Sequence, residues 1–139
     1  MRTERIPAIV TAGDGKASRA VYGDAKVYLE VAGRTLVART VGVLMRVPEV
    51  SEVWVVGNAE RLERTLREDA ELRASLVKPV YVVQQYGTLY ENAWQTFRRL
   101  LPAAPPKGRD PVGEELDQRV LYLSADLPFA TPQEISAFV

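Results

Sequence analysis

The sequence contains no cysteine and no histidine. The first absence excludes disulfide staples, zinc–thiolate sites and thiol nucleophiles; the second removes Ser-His-Asp and Cys-His machinery and imidazole metal sites. Any metal must then be held by oxygen, which suits Mg²⁺ or Mn²⁺. Charge excess is also missing: 18 basic residues face 18 acidic ones. With no global field to attract nucleic acid or an anionic membrane, an anion site has to be local. No apolar run approaches transmembrane length, and "MRTERIPAIV" does not read as a signal peptide, so a cytoplasmic protein is expected.

What is present is a chain of 139 residues, 47% hydrophobic and 26% charged, sized for one domain with a real core. Short β-branched runs alternate with helical patterns. "IPAIVTA", "SEVWVVGN" (51–58), "PVYVVQQ" (79–85) and "RVLYLSAD" (119–126) read as strands. Their near-continuous apolar character predicts a parallel sheet covered on both faces. Val37, Val41 and Leu44 recur at helical spacing after Thr35, an expected N-cap, with Pro48 beyond. Residues 59–76 predict a second helix, with Leu62, Leu66, Leu72 and Leu76 inward and its charges on a solvated face. Leu89, Ala93, Phe97 and Leu100 predict a third, packed through its apolar positions.

Strand and helix in this alternation predict right-handed crossovers and a three-layer α/β/α domain spanning 1–139. Residues 102–118, "PAAPPKGRDPVGEELDQ", are rich in proline and charge and are expected to form a long mobile insertion, with disorder as the expected state.

The segment "TAGDGKASRAVYGDAK" (11–26) follows the first strand and holds three glycines, two lysines and one arginine. A loop in this place can offer backbone N–H groups to an anion, and glycine permits the required conformations. It is neither of two common phosphate cradles. Gly13, Gly15 and Lys16 have the wrong spacing for a P-loop, and Ser18 stands where the dinucleotide fingerprint has its third glycine.

It does resemble the sugar-phosphate nucleotidyltransferase superfamily, in particular the molybdenum-cofactor guanylyltransferase-like NTP transferases. "TAGDGKASR" is similar to that family's glycine-rich signature with its downstream arginine. In "DAKVYLEVAGRTL" (24–36), Lys26, Leu29, Val31, Gly33 and Leu36 fall in the places of its Pro-Lys-x-Leu … Gly-x-Pro-Leu segment. "QQYGTLYENA" (84–93) is similar to its base-recognition Gln and Gly-Thr, and "LYLSADLPFATPQEI" (121–135) to its metal-binding aspartate segment. Asp14 stands at the family's second glycine and is unassigned.

The resemblance implies a Rossmann-like nucleotide-diphospho-sugar transferase (GT-A-like) fold with a mostly parallel sheet, of which the chain would be the N-terminal nucleotide-binding portion. It implies transfer of a nucleoside monophosphate from a nucleoside triphosphate to a phosphorylated acceptor, a sugar phosphate or cofactor-like molecule, with release of pyrophosphate and a need for Mg²⁺ (or Mn²⁺). Lys26 and Arg19 would be catalytic. Thr11, Ala12, Gly13, Gly15, Lys16, Gln84, Gln85, Gly87 and Thr88 would bind the nucleotide, and Asp126 the metal. Lys16 and Arg19 compete for the phosphate role, and either Gln84 or Gln85 would read the base. The alternative is a noncatalytic nucleotide-binding or interaction module derived from the same fold. Nucleic acid and membrane are not expected partners, and homo-oligomerisation is left open.

Overall fold

A computed structural model of the protein describes residues 5–13, 25–125 and 131–139. Four parallel strands form the central sheet: β1 (Ile6–Ala12), β4 (Val50–Gly57), β5 (Val80–Gln84) and β6 (Leu121–Ser124), in the order β5-β4-β1-β6. A small antiparallel hairpin, β2 (Glu30–Val31) and β3 (Arg34–Thr35), lies apart from it. Its two-residue turn places Ala32 at φ 53° and Gly33 at φ 80°. Two consecutive positive φ values match the twist of the flanking strands, and only glycine adopts the second without strain.

Helices cover both faces. On one side are α1 (Leu36–Leu44), α2 (Ala59–Glu68) and α3 (Ala70–Ser75); on the other is α4 (Leu89–Leu100). Alternation along β1 sorts its side chains between them. Ala8 and Val10 enter the larger core with Val37, Val41, Leu44, Leu62 and Leu72. Ile9 joins Val56 and Val83 on the α4 side, against Trp54 and Leu100. The expected three-layer α/β/α fold is therefore present. A last helix, α5 (Pro132–Phe138), is capped by Thr131, whose side chain accepts from the Glu134 amide.

Position in the sheet decides how completely each strand is buried. The inner strands β1 and β4 are buried along most of their length, as their apolar runs predict. The outer strands are not covered on both faces: β6 alternates buried and exposed, and Tyr81 and Tyr122 are each 42% exposed. Tyr81 finds cover across the strand instead, stacking on its register partner Trp54 at 4.3 Å between ring centroids.

Two expectations for the helices meet a different outcome. The helix expected over 59–76 is divided at Asp69, which ends α2 and whose carboxylate accepts from the Leu72 amide to start α3. An aspartate there offers the backbone a cap in place of a continued helix. Leu76, expected inward, is exposed at 48%. In α4 the innermost residues are Asn92 and Thr96, while Leu89 is 62% exposed. These polar side chains are satisfied locally: Asn92 accepts from the Tyr86 amide, and Thr96 donates to the Asn92 carbonyl at 2.6 Å. A polar stripe can be buried where each group has its partner. Residues 102–118 form turns and a 3₁₀ helix (Gly113–Asp117) tied back to α4. Arg98 pairs with Asp110 at 3.0 Å, and Arg109 pairs with Glu115 at 2.7 Å while donating to the Pro102 carbonyl.

Candidate functional site

The C-terminal ends of β1, β4 and β5 lie in register, with Ala12 opposite Gly57 and Gly57 opposite Gln84. In an open parallel sheet this edge is where ligands are bound, because the connecting loops diverge there and leave a crevice. Ala12 and Gly57 approach so closely that a Cβ on Gly57 would overlap the Ala12 carbonyl and lie 2.9 Å from Leu62 Cδ1. Gly57 was a strand terminus in the sequence; here it is what lets β1 and β4 meet at the mouth of the crevice. Its sequence signal is only a glycine between an apolar run and a helix-capping asparagine, "VVGN".

The two glutamines at the end of β5, Gln84 within the strand and Gln85 just past it, have different surroundings. Gln84 Oε1 accepts from the Ala59 amide at 3.0 Å and so helps to cap α2, alongside Asn58, which accepts from the Arg61 amide. Gln85 is held through its own amide to the Gly57 carbonyl at 2.7 Å, and its Oε1 lies 3.5 Å from the position of a Cβ on Gly13. Of the two, Gln85 faces the opening loop. Gly87 has open space around it, and Thr88 caps α4 by accepting from the Glu91 amide at 3.1 Å. Asn92 fastens the 85–88 turn from below through the Tyr86 amide, which fits a cap or turn role.

Thr11 links β1 to β6: its hydroxyl donates to the Leu123 carbonyl, and its carbonyl accepts from Ala125 at 2.9 Å. The Ala125 carbonyl is in turn 3.0 Å from the Thr40 hydroxyl, on the buried face of α1. Thr40 thus fastens the chain immediately before Asp126 to the helical layer. Periodicity placed Thr40 in a helix and could not reveal that contact, which spans 85 residues of sequence.

Lys26 begins a 3₁₀ helix (Lys26–Tyr28) that follows the buried Ala25. The Arg61 guanidinium lies over the Tyr28 ring, 3.7 Å from its centroid. Arg61 belongs to the first turn of α2, directly after the Gly57–Asn58 end of β4, so this cation–π contact draws the Lys26 turn to the same end of the sheet. The sequence reading had placed Arg61 only on a solvated helix face. Gly15, Lys16, Arg19 and Asp126 lie outside the described residues. Among the described residues no three His, Cys, Asp or Glu side chains are grouped so as to hold a metal ion, and no helix is long and apolar enough to cross a membrane.

Among the described residues, Thr11, Ala12, Gly13 and Gln85 therefore lie at one edge of the sheet, with Gly87 and Thr88 in the turn that follows β5. Gln84 is turned to a structural task.

Comparison with known proteins bears on the fold and the family. The chain is similar in structure to 4-diphosphocytidyl-2C-methyl-D-erythritol synthase from Anaerococcus prevotii DSM 20548, with a TM-score of 0.61 and 20% sequence identity. The match covers 95% of this chain and 48% of the other, so this chain spans about half the length of that protein. No curated protein matches the sequence. The model of the MobA-like NTP transferase domain matches residues 8–139, and the chain belongs to that family.

Proposed function

We propose that the chain binds a nucleoside triphosphate at the C-terminal ends of β1, β4 and β5 and takes part in nucleotidyl transfer to a phosphorylated acceptor. The observation that carries this reading is the meeting of Gly13, Gly57 and Gln85 at that edge. Gly57 lets the two strands meet, Gly13 leaves room for a phosphate chain or a base edge against the backbone, and Gln85 supplies both a donor and an acceptor beside it.

In the proposed step an acceptor phosphate oxygen attacks the α-phosphorus. The bond from that phosphorus to the bridging oxygen of the β-phosphate breaks, and pyrophosphate leaves with the electron pair. Both reactants are anionic, so the protein's tasks are alignment and neutralisation. Lys26 would donate to the α-phosphate oxygen as charge builds, and Arg19 or Lys16 would meet the departing pyrophosphate. A Mg²⁺ or Mn²⁺ ion belongs to the proposal through Asp126; when bound, it would offset charge on the phosphates. The described residues supply no ligand cluster for it, so no step here is routed through it.

Calorimetric titration with each of the four ribonucleoside triphosphates, with and without Mg²⁺, tests the reading. Metal-dependent binding of one of them is expected. Gln85→Ala should weaken it about tenfold, the value of a lost hydrogen bond or two, while Gln84→Ala should leave affinity unchanged. Silence with all four on folded protein overturns the proposal. Binding with no pyrophosphate release in the presence of candidate phosphorylated acceptors would support the noncatalytic alternative.

A further inference from the structure

A second cleft lies on the helical face that carries α1 and α3, with a volume of about 490 Å³. Arg34, Arg39 and Arg46 line it, with Glu71 and Ser75 opposite. Its residues are distinct from those of the crevice described above. Arg46 lies in the turn that leads from α1 toward the start of β4, so the cleft extends to the N-terminal end of that strand, away from Gly57.

Among the described residues, three arginines face two carboxylates around this cleft. Both nearby carboxylates are taken by one cation: Arg34 Nε pairs with Asp69 at 2.9 Å, and Nη1 with Glu71 at 2.7 Å. Its remaining nitrogen, Nη2, lies 3.7 Å from the position of a Cβ on Gly42, so the guanidinium lies against α1 where the helix carries no side chain. Arg39 donates through Nε to the Val31 carbonyl at 2.8 Å. Neither Arg39 nor Arg46 has a carboxylate partner among the described residues. Residues 39 and 42 lie three apart on α1 and share a face, and Arg46 follows in the turn two residues beyond its end. The result is a row of three guanidiniums of which, among the described residues, only Arg34 is in a salt bridge, while Arg39 senses Asp69 through charge alone.

We propose that this cleft is a binding site for a linear polyphosphate anion. Several guanidinium forks spaced along one groove suit a chain of phosphates better than a single compact anion. The cleft is within the size range of small-ligand sites. The shared chemistry is a run of phosphates, which free inorganic polyphosphate or the tail of a nucleotide can supply. The site would let such an anion bind without entering the crevice at the other end of the sheet.

The test is a two-dimensional NMR titration of the chain with inorganic tripolyphosphate in the absence of divalent metal. The amides of Gly42, Val43 and Ser75 should shift, and raising the salt should weaken the effect. In Arg39→Gln/Arg46→Gln the midpoint should rise by more than about tenfold, as expected for losing charge-assisted bonds. Arg46→Gln alone, at an exposed position, should give an intermediate loss and keeps the test usable if the double variant is unstable. In Lys26→Ala these shifts should persist, which separates this site from the crevice. A nucleoside triphosphate that binds no tighter than tripolyphosphate assigns recognition to the phosphates; tighter binding, lost in the same variant, places the nucleoside in the cleft as well. Unchanged binding in the double variant, or shifts confined to Gly13 and Gln85, overturns the proposal.

Discussion

Gly57→Ala is the substitution that most directly tests how the crevice is built. The added Cβ would overlap the Ala12 carbonyl and lie 2.9 Å from both the Ala12 carbonyl carbon and Leu62 Cδ1. Leu62 can rotate, but the Ala12 carbonyl belongs to the neighbouring strand and is held in register. Relief therefore requires β1 and β4 to separate at their last pair. Overpacking of this kind costs about 1–3 kcal/mol. For a domain of this size each kcal/mol lowers Tm by about 3–5 °C, so a drop of roughly 3–15 °C is expected by calorimetry. Gly13→Ala supplies the control, because among the described residues its Cβ would meet Gln85 Oε1 alone, at an ordinary 3.5 Å. That variant should unfold within about 0.5 kcal/mol of the parent, as surface substitutions do. Gly57→Ala should also weaken triphosphate binding, since Ala12 and Gly13 must move. An unchanged Tm in Gly57→Ala, or equal losses in both variants, would refute the close-approach reasoning.

Two further outcomes follow from ion pairs. Asp69 caps α3 and holds Arg34, and its side chain is only 9% exposed. Asp69→Ala should cost about 2–4 kcal/mol by chemical denaturation, combining a lost cap with a lost charge-assisted bond; Asp69→Asn keeps the cap and should cost less, and equal losses would contradict the division of roles. For Glu115, the hydrogen bond from Arg109, then one from the Val112 amide, holds the carboxyl down to about 2 from its ordinary 4.5. A carboxylate lowered on folding contributes stability that is complete above about pH 4.5 and is lost as pH falls toward 2. Carbon-detected titration of Glu115 should show that low midpoint and its return toward 4.5 in Arg109→Met; an ordinary midpoint in the parent would dissolve the pair.

The local signals in the sequence were reliable where the chain decides its structure from neighbouring residues. Thr35 caps α1 as its place before Val37 and Val41 predicts, with its hydroxyl 3.2 Å from the Ala38 amide. Gly33 stands where a hairpin turn requires positive φ. The family resemblance, carried by short motifs in the correct order, pointed to the right superfamily because each motif is a local backbone arrangement. The end of "IPAIVTAG" is at the edge of a parallel sheet for the same reason.

The remainder depends on residues that meet only after folding. Sequence could not tell that Gln84 caps α2 while Gln85 lies beside Gly13, because those partners are far apart in the chain. It could not single out Thr40, whose partner is Ala125, or Arg61, whose partner is Tyr28. An apolar stripe predicted the inner face of α4, yet Asn92 and Thr96 occupy it, because their hydrogen bonds are completed within the helix and its preceding turn. Composition and short-range pattern determined the layers, the caps and the family. Which side chains meet at the edge of the sheet, and which arginine takes Asp69 and Glu71, was decided by tertiary packing, since both depend on distances between segments far apart in the chain.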